Sequence, residues 1–246
     1  RQELQSEGVF AVNGPPGTGK TTLLRDMVAD LVTRRAQVMA SFQNPAEAFS
    51  ASGHRVKAGA GFWHLYRLDP RLRGFEILVA SSNNKAVENI SRELPGVEAI
   101  ARPGLTYFKS ISDRLFNPPS GDVGEKDEAS EPLKTWGLIA AVLGNRANIN
   151  RFRQGFWWDE DYGMRLYLKA AKGDDIRIEI KDAETGKVTG CRSPKILDAE
   201  KPPAGEGMAG KAWSAAVRRF RTVESRVAAA IKIREQVRDQ LQSIPS

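Results

Sequence analysis

The sequence contains a single cysteine, Cys191, and only two histidines, His54 and His64. One cysteine cannot form an internal disulfide, and these three side chains are too few for a structural zinc site. Both absences agree with a protein of a reducing compartment. The sequence therefore predicts a fold that depends on neither disulfides nor zinc.

Long apolar segments are also missing. No stretch approaches the roughly 18 uncharged apolar residues that a membrane-spanning helix needs. Residues 1–8 lack the basic start and the apolar run of a secretory signal. We therefore expect a cytoplasmic protein with no membrane partner. The chain begins without methionine and both of its ends look cut, which leads us to expect a fragment.

Positive charge is the main excess in the composition. The formal net charge is +7, and the hydrophobic fraction of 41% is that of a soluble globular protein. A basic balance favours a polyanionic partner such as nucleic acid, although surface charge also serves solubility alone. Charge by itself does not decide the function.

The most informative segment satisfies the pattern G-x-x-x-x-G-K-[ST]. Its residues are Gly14, Pro15, Pro16, Gly17, Thr18, Gly19, Lys20 and Thr21. The apolar run over 9–12 predicts a buried strand before it, and the periodic run from Lys20 to Arg35 predicts a helix after it. A strand, a loop and a helix in this order form the context in which the pattern binds nucleotide phosphates. A glycine-rich turn without a ligand does not require all eight positions to agree.

This segment predicts a site for ATP and Mg²⁺. Its glycines allow backbone N–H groups to surround a phosphate, while the positive end of the helix points at the same oxygens. We expect Lys20 to contact the β- and γ-phosphates, the Thr21 hydroxyl to bind Mg²⁺, and Thr22 to contact the α-phosphate. Lys20 and Thr21 are therefore the candidate catalytic residues.

A second polar segment follows a predicted strand. Residues 75–80 resemble a buried strand, and Asn84 to Leu94 predicts a helix. At the junction stand Ser81, Ser82, Asn83 and Asn84. Small hydroxyl and amide side chains at a strand end can hydrogen-bond a single-stranded backbone without reading its bases. Capping of the helix by Asn83 or Asn84 is the alternative, and both roles can coexist.

Together the two segments resemble superfamily 1 DNA/RNA helicases of the nonsense-mediated-decay helicase type. The string from Gly14 to Thr21 corresponds to motif I, and the string from Val79 to Ile90 corresponds to motif Ia. Motif I alone is shared with many ATPases, AAA+ proteins included, whereas the pair is more specific. The resemblance implies an α/β fold: a P-loop NTPase, RecA-like parallel sheet core with an inserted, mainly helical subdomain. It also implies single-stranded DNA or RNA as partner and a second RecA-like domain downstream in the full-length chain.

The resemblance divides the chain into two predicted domains. Residues 1–105 form the ATP-binding core, and residues 106–246 form the inserted subdomain. The last segment, Lys211 to Leu241, predicts a long helix with eight basic and three acidic side chains. This helix could lie along the nucleic acid, form a stalk or be only a solvated structural helix, and the sequence leaves these alternatives open.

The remaining segments give coarser predictions. The patterns predict an irregular connection with short helical pieces over 43–70, a third strand over 97–101, a helix over 133–143, a hairpin strand over 176–180 and a loose segment over 194–210.

Several groups that such helicases use are not found in the sequence. There are no convincing Walker B carboxylates, no motif III glutamine and no arginine finger. The closest Walker B candidate, Asp159-Glu160, follows aromatic residues and not a β-branched strand. Gln2 and Gln5 are candidates for an adenine contact. We therefore expect this chain alone to bind ATP weakly and to hydrolyse it poorly.

These observations favour the ATP-binding part of an ATP-dependent helicase or translocase. The alternative is a P-loop ATPase switch or AAA+-like scaffold that acts on protein partners, which has no need for Ser82 and Asn83 at a strand end. A nucleic-acid-binding module with a vestigial loop is disfavoured by the intact Lys20 and Thr21.

Overall fold

The computed structural model describes residues 19–59, 61–100, 104–118, 131–182 and 184–243. Within these ranges the helices and strands, in chain order, are α1 (Lys20–Met39), β1 (Phe49–Ala58), β2 (Gly61–Leu68), α2 (Asn84–Glu93), α3 (Lys109–Phe116), α4 (Arg146–Arg153), α5 (Met164–Lys172), β3 (Ile178–Lys181), β4 (Val188–Arg192), α6 (Lys195–Glu200) and α7 (Gly205–Gln242). Short 3₁₀ turns lie at Pro45–Ala48, Pro70–Leu72 and Val97–Ala99, and a π-helical turn, Gln154–Trp158, continues α4.

Both sheets in these ranges are two-stranded antiparallel hairpins, β1 with β2 and β3 with β4. The predicted parallel sheet requires the strand over 9–12, which lies outside the described residues. Residues 75–80 have irregular backbone, and the Leu78 side chain is 93% exposed. Since a strand is defined by hydrogen bonds to a neighbour, the RecA-like fold stays a prediction.

The first apolar cluster connects the end of α1 to α7. Its buried members and the residues packed on them are Phe42, Ala48, Leu72, Val38, Leu68 and Trp213. The Trp213 indole N–H donates to the Phe42 carbonyl at 3.2 Å. Beside this contact, the Gln37 amide donates to Glu224 at 2.8 Å. The N-terminal half of α7 is therefore held against the segment that follows α1.

The second apolar cluster joins α3, α5 and α6. Ile111 and Ile196 are fully buried and Leu166 nearly so. Phe108 and Tyr167 add an edge-to-face ring pair with centroids 5.1 Å apart. Packing of this kind fixes three short helices that would not be stable in isolation.

Residues 133–143 do not form the predicted helix. The N–H of Trp136 donates to the Pro95 carbonyl at 2.7 Å, and the N–H of Leu138 donates to the Tyr107 carbonyl at 2.7 Å. The Trp136 indole also donates to the Leu94 carbonyl at 2.9 Å. Because these bonds run to distant residues, they replace the local bonds that a helix would have used.

The prediction for residues 43–70 is correct only for the short helical turn at Pro45–Ala48, since β1 and β2 replace the irregular connection that follows it. Both faces of this hairpin are largely exposed, so the sequence has no alternation of apolar and polar residues by which a half-buried strand is recognised. A 3₁₀ turn replaces the strand predicted over 97–101, and α6 with the start of α7 replaces most of the loose segment over 194–210. The predicted hairpin beginning near residue 176 is confirmed by β3 and β4.

The predicted helix from Lys211 to Leu241 is confirmed as part of the 38-residue α7. At 1.5 Å per residue such a helix is about 57 Å long. Every residue from 225 to 242 is exposed. The C-terminal half of α7 therefore has no packing partner among the described residues.

Asp161 connects α6 and β4 through its carboxylate. Arg192 donates to both carboxylate oxygens, the longer bond being 2.8 Å, and the Lys195 ammonium lies 3.8 Å away. The bond from Arg192 lowers the pKa of Asp161 below its usual value, against a smaller opposing effect of burial.

This pKa shift predicts a pH-dependent contribution to stability. A carboxyl whose pKa is lower in the folded chain binds more protons when unfolded, so its contribution is complete above the unfolded pKa of about 3.9 and is lost as the pH falls through the folded pKa. We expect Asp161→Asn to lower the free energy of unfolding at neutral pH, with a difference that shrinks below about pH 4. Urea unfolding across that range measures it. A difference that stays constant at acid pH would contradict this role.

Candidate nucleotide-binding site

The helix that follows the phosphate-binding segment begins where the sequence predicts. Residues 14–18 lie outside the described residues, Gly19 is described, and α1 starts at Lys20. Gly19 has a left-handed backbone, with φ of 83° and ψ of 18°. The Leu23 N–H donates to the Gly19 carbonyl at 3.0 Å. The backbone thus turns sharply at the last glycine of the motif and enters a helix directly.

The start of α1 suits an anion. In any α-helix the first N–H groups have no partner within the helix, and here these belong to Lys20, Thr21 and Thr22. The first turn contains no acidic residue. The partial positive charge at the helix start is therefore not opposed by a carboxylate of its own first turn. The side chains of Lys20 and Thr21 lie outside what the structure describes, whereas Thr22 is exposed.

Gly19 gives a prediction about this turn. An added Cβ at Gly19 would meet no atom within 4 Å, so the cost of Gly19→Ala is conformational and not steric. A left-handed backbone costs an L-residue about 1–2 kcal/mol. We expect Gly19→Ala to weaken ATP binding about tenfold by shifting the turn away from the binding geometry, and Gly19→Asn, which tolerates this backbone better, to weaken it less. A fluorescent-nucleotide titration decides, and equal affinities for all three chains would contradict the prediction.

The predicted nucleic-acid contacts lie at the start of α2. Ser81, Ser82 and Asn83 are exposed, and the side chain of Asn84 lies outside what the structure describes. The Asn83 N–H donates to the Ser81 hydroxyl at 3.1 Å, and the Asn83 carbonyl accepts from the Val87 N–H. Ser81 therefore shapes the turn into the helix, while the amide side chains stay candidates for both capping and backbone contact.

An ion pair connects the two motif-bearing helices. The Arg25 guanidinium, in the second turn of α1, lies 3.7 Å from the Glu93 carboxylate at the end of α2. Both side chains are partly exposed, so the pair itself contributes little to stability. Its relevance is positional, because it brings the end of α2, the helix after Ser81 to Asn83, close to α1, the helix that begins at Lys20.

Asp159 is not arranged as a Walker B carboxylate. It follows the π-helical turn and not a strand. One carboxylate oxygen accepts from the Arg114 guanidinium at 2.7 Å, and the other accepts from the N–H groups of Asp161 and Tyr162 at 2.9 and 2.8 Å. These bonds use its acceptors to stabilise a turn. Within the described ranges, no cluster of three or more His, Cys, Asp or Glu could hold a metal ion.

One group of exposed side chains is not predicted by the sequence patterns. Residues 49–68 contain four aromatic residues and three Lys or Arg but no Asp or Glu. A count of acids in this window would have revealed the segment, which the weak periodicity had concealed. The structure places these side chains on β1 and β2, where most of them are exposed.

A comparison with protein families gives a match over the N-terminal part of the chain. A family model described as an AAA domain matches residues 1–103. The match supports a P-loop, AAA-type, ATP-binding domain of helicase-like character in this part of the chain. No curated protein and no solved structure matches the chain. None of the helices in the described ranges is both long and apolar enough to cross a membrane.

Proposed function

We propose that this chain is the ATP-binding part of an ATP-dependent helicase or translocase that acts on single-stranded nucleic acid. The observation that carries the proposal is the complete phosphate-binding pattern from Gly14 to Thr21, followed by a helix that starts at Lys20. The family match over residues 1–103 supports the same reading.

The residues fit ATP and Mg²⁺ in distinct roles. The free N–H groups at the start of α1 suit phosphate oxygens, and the ammonium of Lys20 adds a full charge for the β- and γ-phosphates. The Thr21 hydroxyl would bind Mg²⁺, and Thr22 would contact the α-phosphate. A bound Mg²⁺ would neutralise phosphate charge. The chain itself supplies orientation and the fixed positive charge of the helix start.

The position of α2 suggests how nucleotide and nucleic acid could affect each other. A shift of α1 on nucleotide binding would reach α2 through Arg25 and Glu93, and α2 begins directly after the predicted backbone contacts Ser82 and Asn83. Such coupling requires that each ligand prefer one arrangement of the two helices.

A second candidate function is a nucleotide-dependent switch that acts on a protein. The observation in its favour is the exposed apolar series Val223, Val227, Ile231 and Leu241 on α7. These side chains suit a partner helix, because they recur close to one face of a long helix.

The test is the affinity of a fluorescent ATP analogue, with Mg²⁺, in the presence and absence of single-stranded oligonucleotide. Allosteric coupling between two ligands is typically about 5–150-fold, and it is reciprocal. A change of this size, in both directions of measurement, would support the motor. ATP binding that ignores the oligonucleotide would favour the switch, and a folded chain that binds no ATP would contradict both.

A further inference from the structure

The hairpin formed by β1 and β2 is exposed over most of both its faces. The strands pair with each other and with no other strand of the described chain. Five large side chains along it are more than half exposed, namely Phe49, Val56, Phe62, Trp63 and Tyr66. Several exposed apolar side chains on one element mark a candidate interaction surface.

The register divides these side chains between two faces. In an antiparallel pair directly opposite residues share a face, and successive residues alternate. Lys57 lies opposite Phe62, and Arg55 lies opposite His64. One face, called here the cationic face, therefore carries Phe49, Arg55, Lys57, Phe62, His64 and Tyr66. The other face carries Val56, Trp63, Leu65 and Arg67.

The rings of the cationic face are spaced along β2. Phe62, His64 and Tyr66 are successive residues on that face, about 7 Å apart. The Phe62 side chain is 51% exposed and that of Tyr66 is 66% exposed. Separate, accessible rings of this kind are the platforms on which bases of a single strand stack, with little dependence on sequence.

Charge favours the same ligand. Residues 49–68 contain no acid, although the chain has 30 Asp and Glu in all. The Arg55 guanidinium lies over the Phe62 ring, 4.5 Å from its centroid, so a base stacks on that face of the ring only when Arg55 moves aside. A base stacked next to this ring would have its phosphate within reach of Arg55 and Lys57. Clustered cations beside exposed rings, with no acid in the same segment, suit a phosphate backbone.

The hairpin is attached to the apolar cluster at the end of α1. The Asp69 N–H donates to the Ala48 carbonyl at 2.8 Å, which closes its base, and Leu68 packs on that cluster. In the middle of the hairpin the Ser52 hydroxyl donates to the Leu65 carbonyl at 2.7 Å and accepts from the His54 N–H at 3.0 Å. These bonds hold the strands together across the irregularity between Ala51 and Arg55.

We propose that the cationic face of this hairpin is a binding site for single-stranded nucleic acid, in which bases stack on Phe62 and Tyr66 and phosphates contact Arg55 and Lys57. The inference rests on the proposed function for its class of ligand. It adds a site separate from Ser81, Ser82 and Asn83.

The experiment compares oligonucleotide affinity by fluorescence anisotropy for three forms of the full 246-residue chain. They are the wild type, the double variant Phe62→Ala with Tyr66→Ala, and the control Trp63→Ala, which removes an exposed ring from the opposite face. The probes are oligo(dT) and oligo(U) of about 20 nucleotides, long enough for a site of this class. We expect the double variant to bind at least about tenfold more weakly and the control to stay within about twofold.

A charge variant gives an independent readout. Arg55→Gln with Lys57→Gln should reduce the slope of log affinity against log salt concentration by about 2, since each phosphate contact contributes about 1.

Phe62→Trp keeps a stacking platform and should retain the affinity. Circular dichroism and the melting temperature should not change, because the replaced side chains are exposed. Similar losses of affinity for oligo(dT) and oligo(U) support stacking of bases from both DNA and RNA. A loss with one of them alone identifies that nucleic acid as the ligand.

The experiment distinguishes failure of this inference from failure of the proposed function. If the wild type binds oligonucleotide and the double variant binds equally well, this inference is overturned while the proposed function stands. Loss of oligonucleotide affinity in Trp63→Ala alone would also overturn it, because the oligonucleotide would then bind the face opposite the cationic face. A wild-type dimer that Phe62→Ala dissociates would show the face to be a self-association surface. A wild type that binds ATP but no oligonucleotide would overturn this inference and the motor together.

Discussion

Replacing Lys20 with alanine is expected to weaken the binding of Mg²⁺-ATP by about 100-fold, since hydrogen bonds to charged groups contribute about 1.5–3 kcal/mol and this ammonium is assigned two phosphates. The helix start would remain, because the backbone turn depends on Gly19 and alanine favours helix. The variant should therefore lose affinity and keep its secondary structure. Fluorescence titration with an ATP analogue measures the first, and far-UV circular dichroism the second.

Arg35→Ala is the matched control for Lys20→Ala. Arg35 is an exposed cation in the last part of the same helix, fifteen residues further along. Its removal changes the net charge equally but leaves the phosphate-binding turn intact, so the affinity should change by less than about twofold. If Lys20→Ala binds ATP as tightly as Arg35→Ala does, the phosphate-binding role of Gly14 to Thr21 is contradicted.

The largest expected effect on stability is that of Ile196→Ala. Ile196 is fully buried between α3 and α5, and its N–H donates to the Asp161 carbonyl at 3.0 Å. Truncation of a buried isoleucine to alanine typically costs about 2–5 kcal/mol, because apolar contacts are lost and a cavity remains. The midpoint of urea unfolding should fall accordingly.

The control for Ile196→Ala is Leu168→Ala, whose side chain on α5 is substantially exposed. It should cost less than about 1 kcal/mol. Equal losses for the two variants would show that the cluster around Ile111, Leu166 and Ile196 is not a stabilising core. ATP affinity of the folded Ile196→Ala chain should be unchanged, since that cluster does not include α1.

Local sequence patterns were sufficient where local interactions determine the structure. Helices α1, α2 and α7 follow from apolar periodicity, and the hairpin of β3 and β4 follows from alternation around a turn. Two other segments have structures that a local sequence pattern does not predict. Residues 133–143 take their hydrogen bonds from residues 95 and 107, far away in the chain. The hairpin of β1 and β2 leaves both faces open, so neither face had to be apolar.

In the candidate site, too, some features follow from the local sequence and others depend on how distant segments pack. The phosphate-binding role of Gly14 to Thr21 stays a prediction that rests on eight residues, because the chemistry of phosphate binding fixes their type and order. The proximity of α1 and α2, seen in the ion pair of Arg25 with Glu93, could not be predicted from the sequence, since it depends on how separate helices pack. The aromatic rings of the hairpin were visible in the sequence, but their division between two faces follows only from the register.

The most direct test of the central claim is a calorimetric titration of the wild-type chain with ATP in the presence of Mg²⁺. A nucleotide site built on Gly14 to Thr21 predicts saturable binding at one site per chain, weakened when EDTA removes the metal and weakened about 100-fold in Lys20→Ala. A folded chain that gives no saturable heat at millimolar ATP would contradict the account.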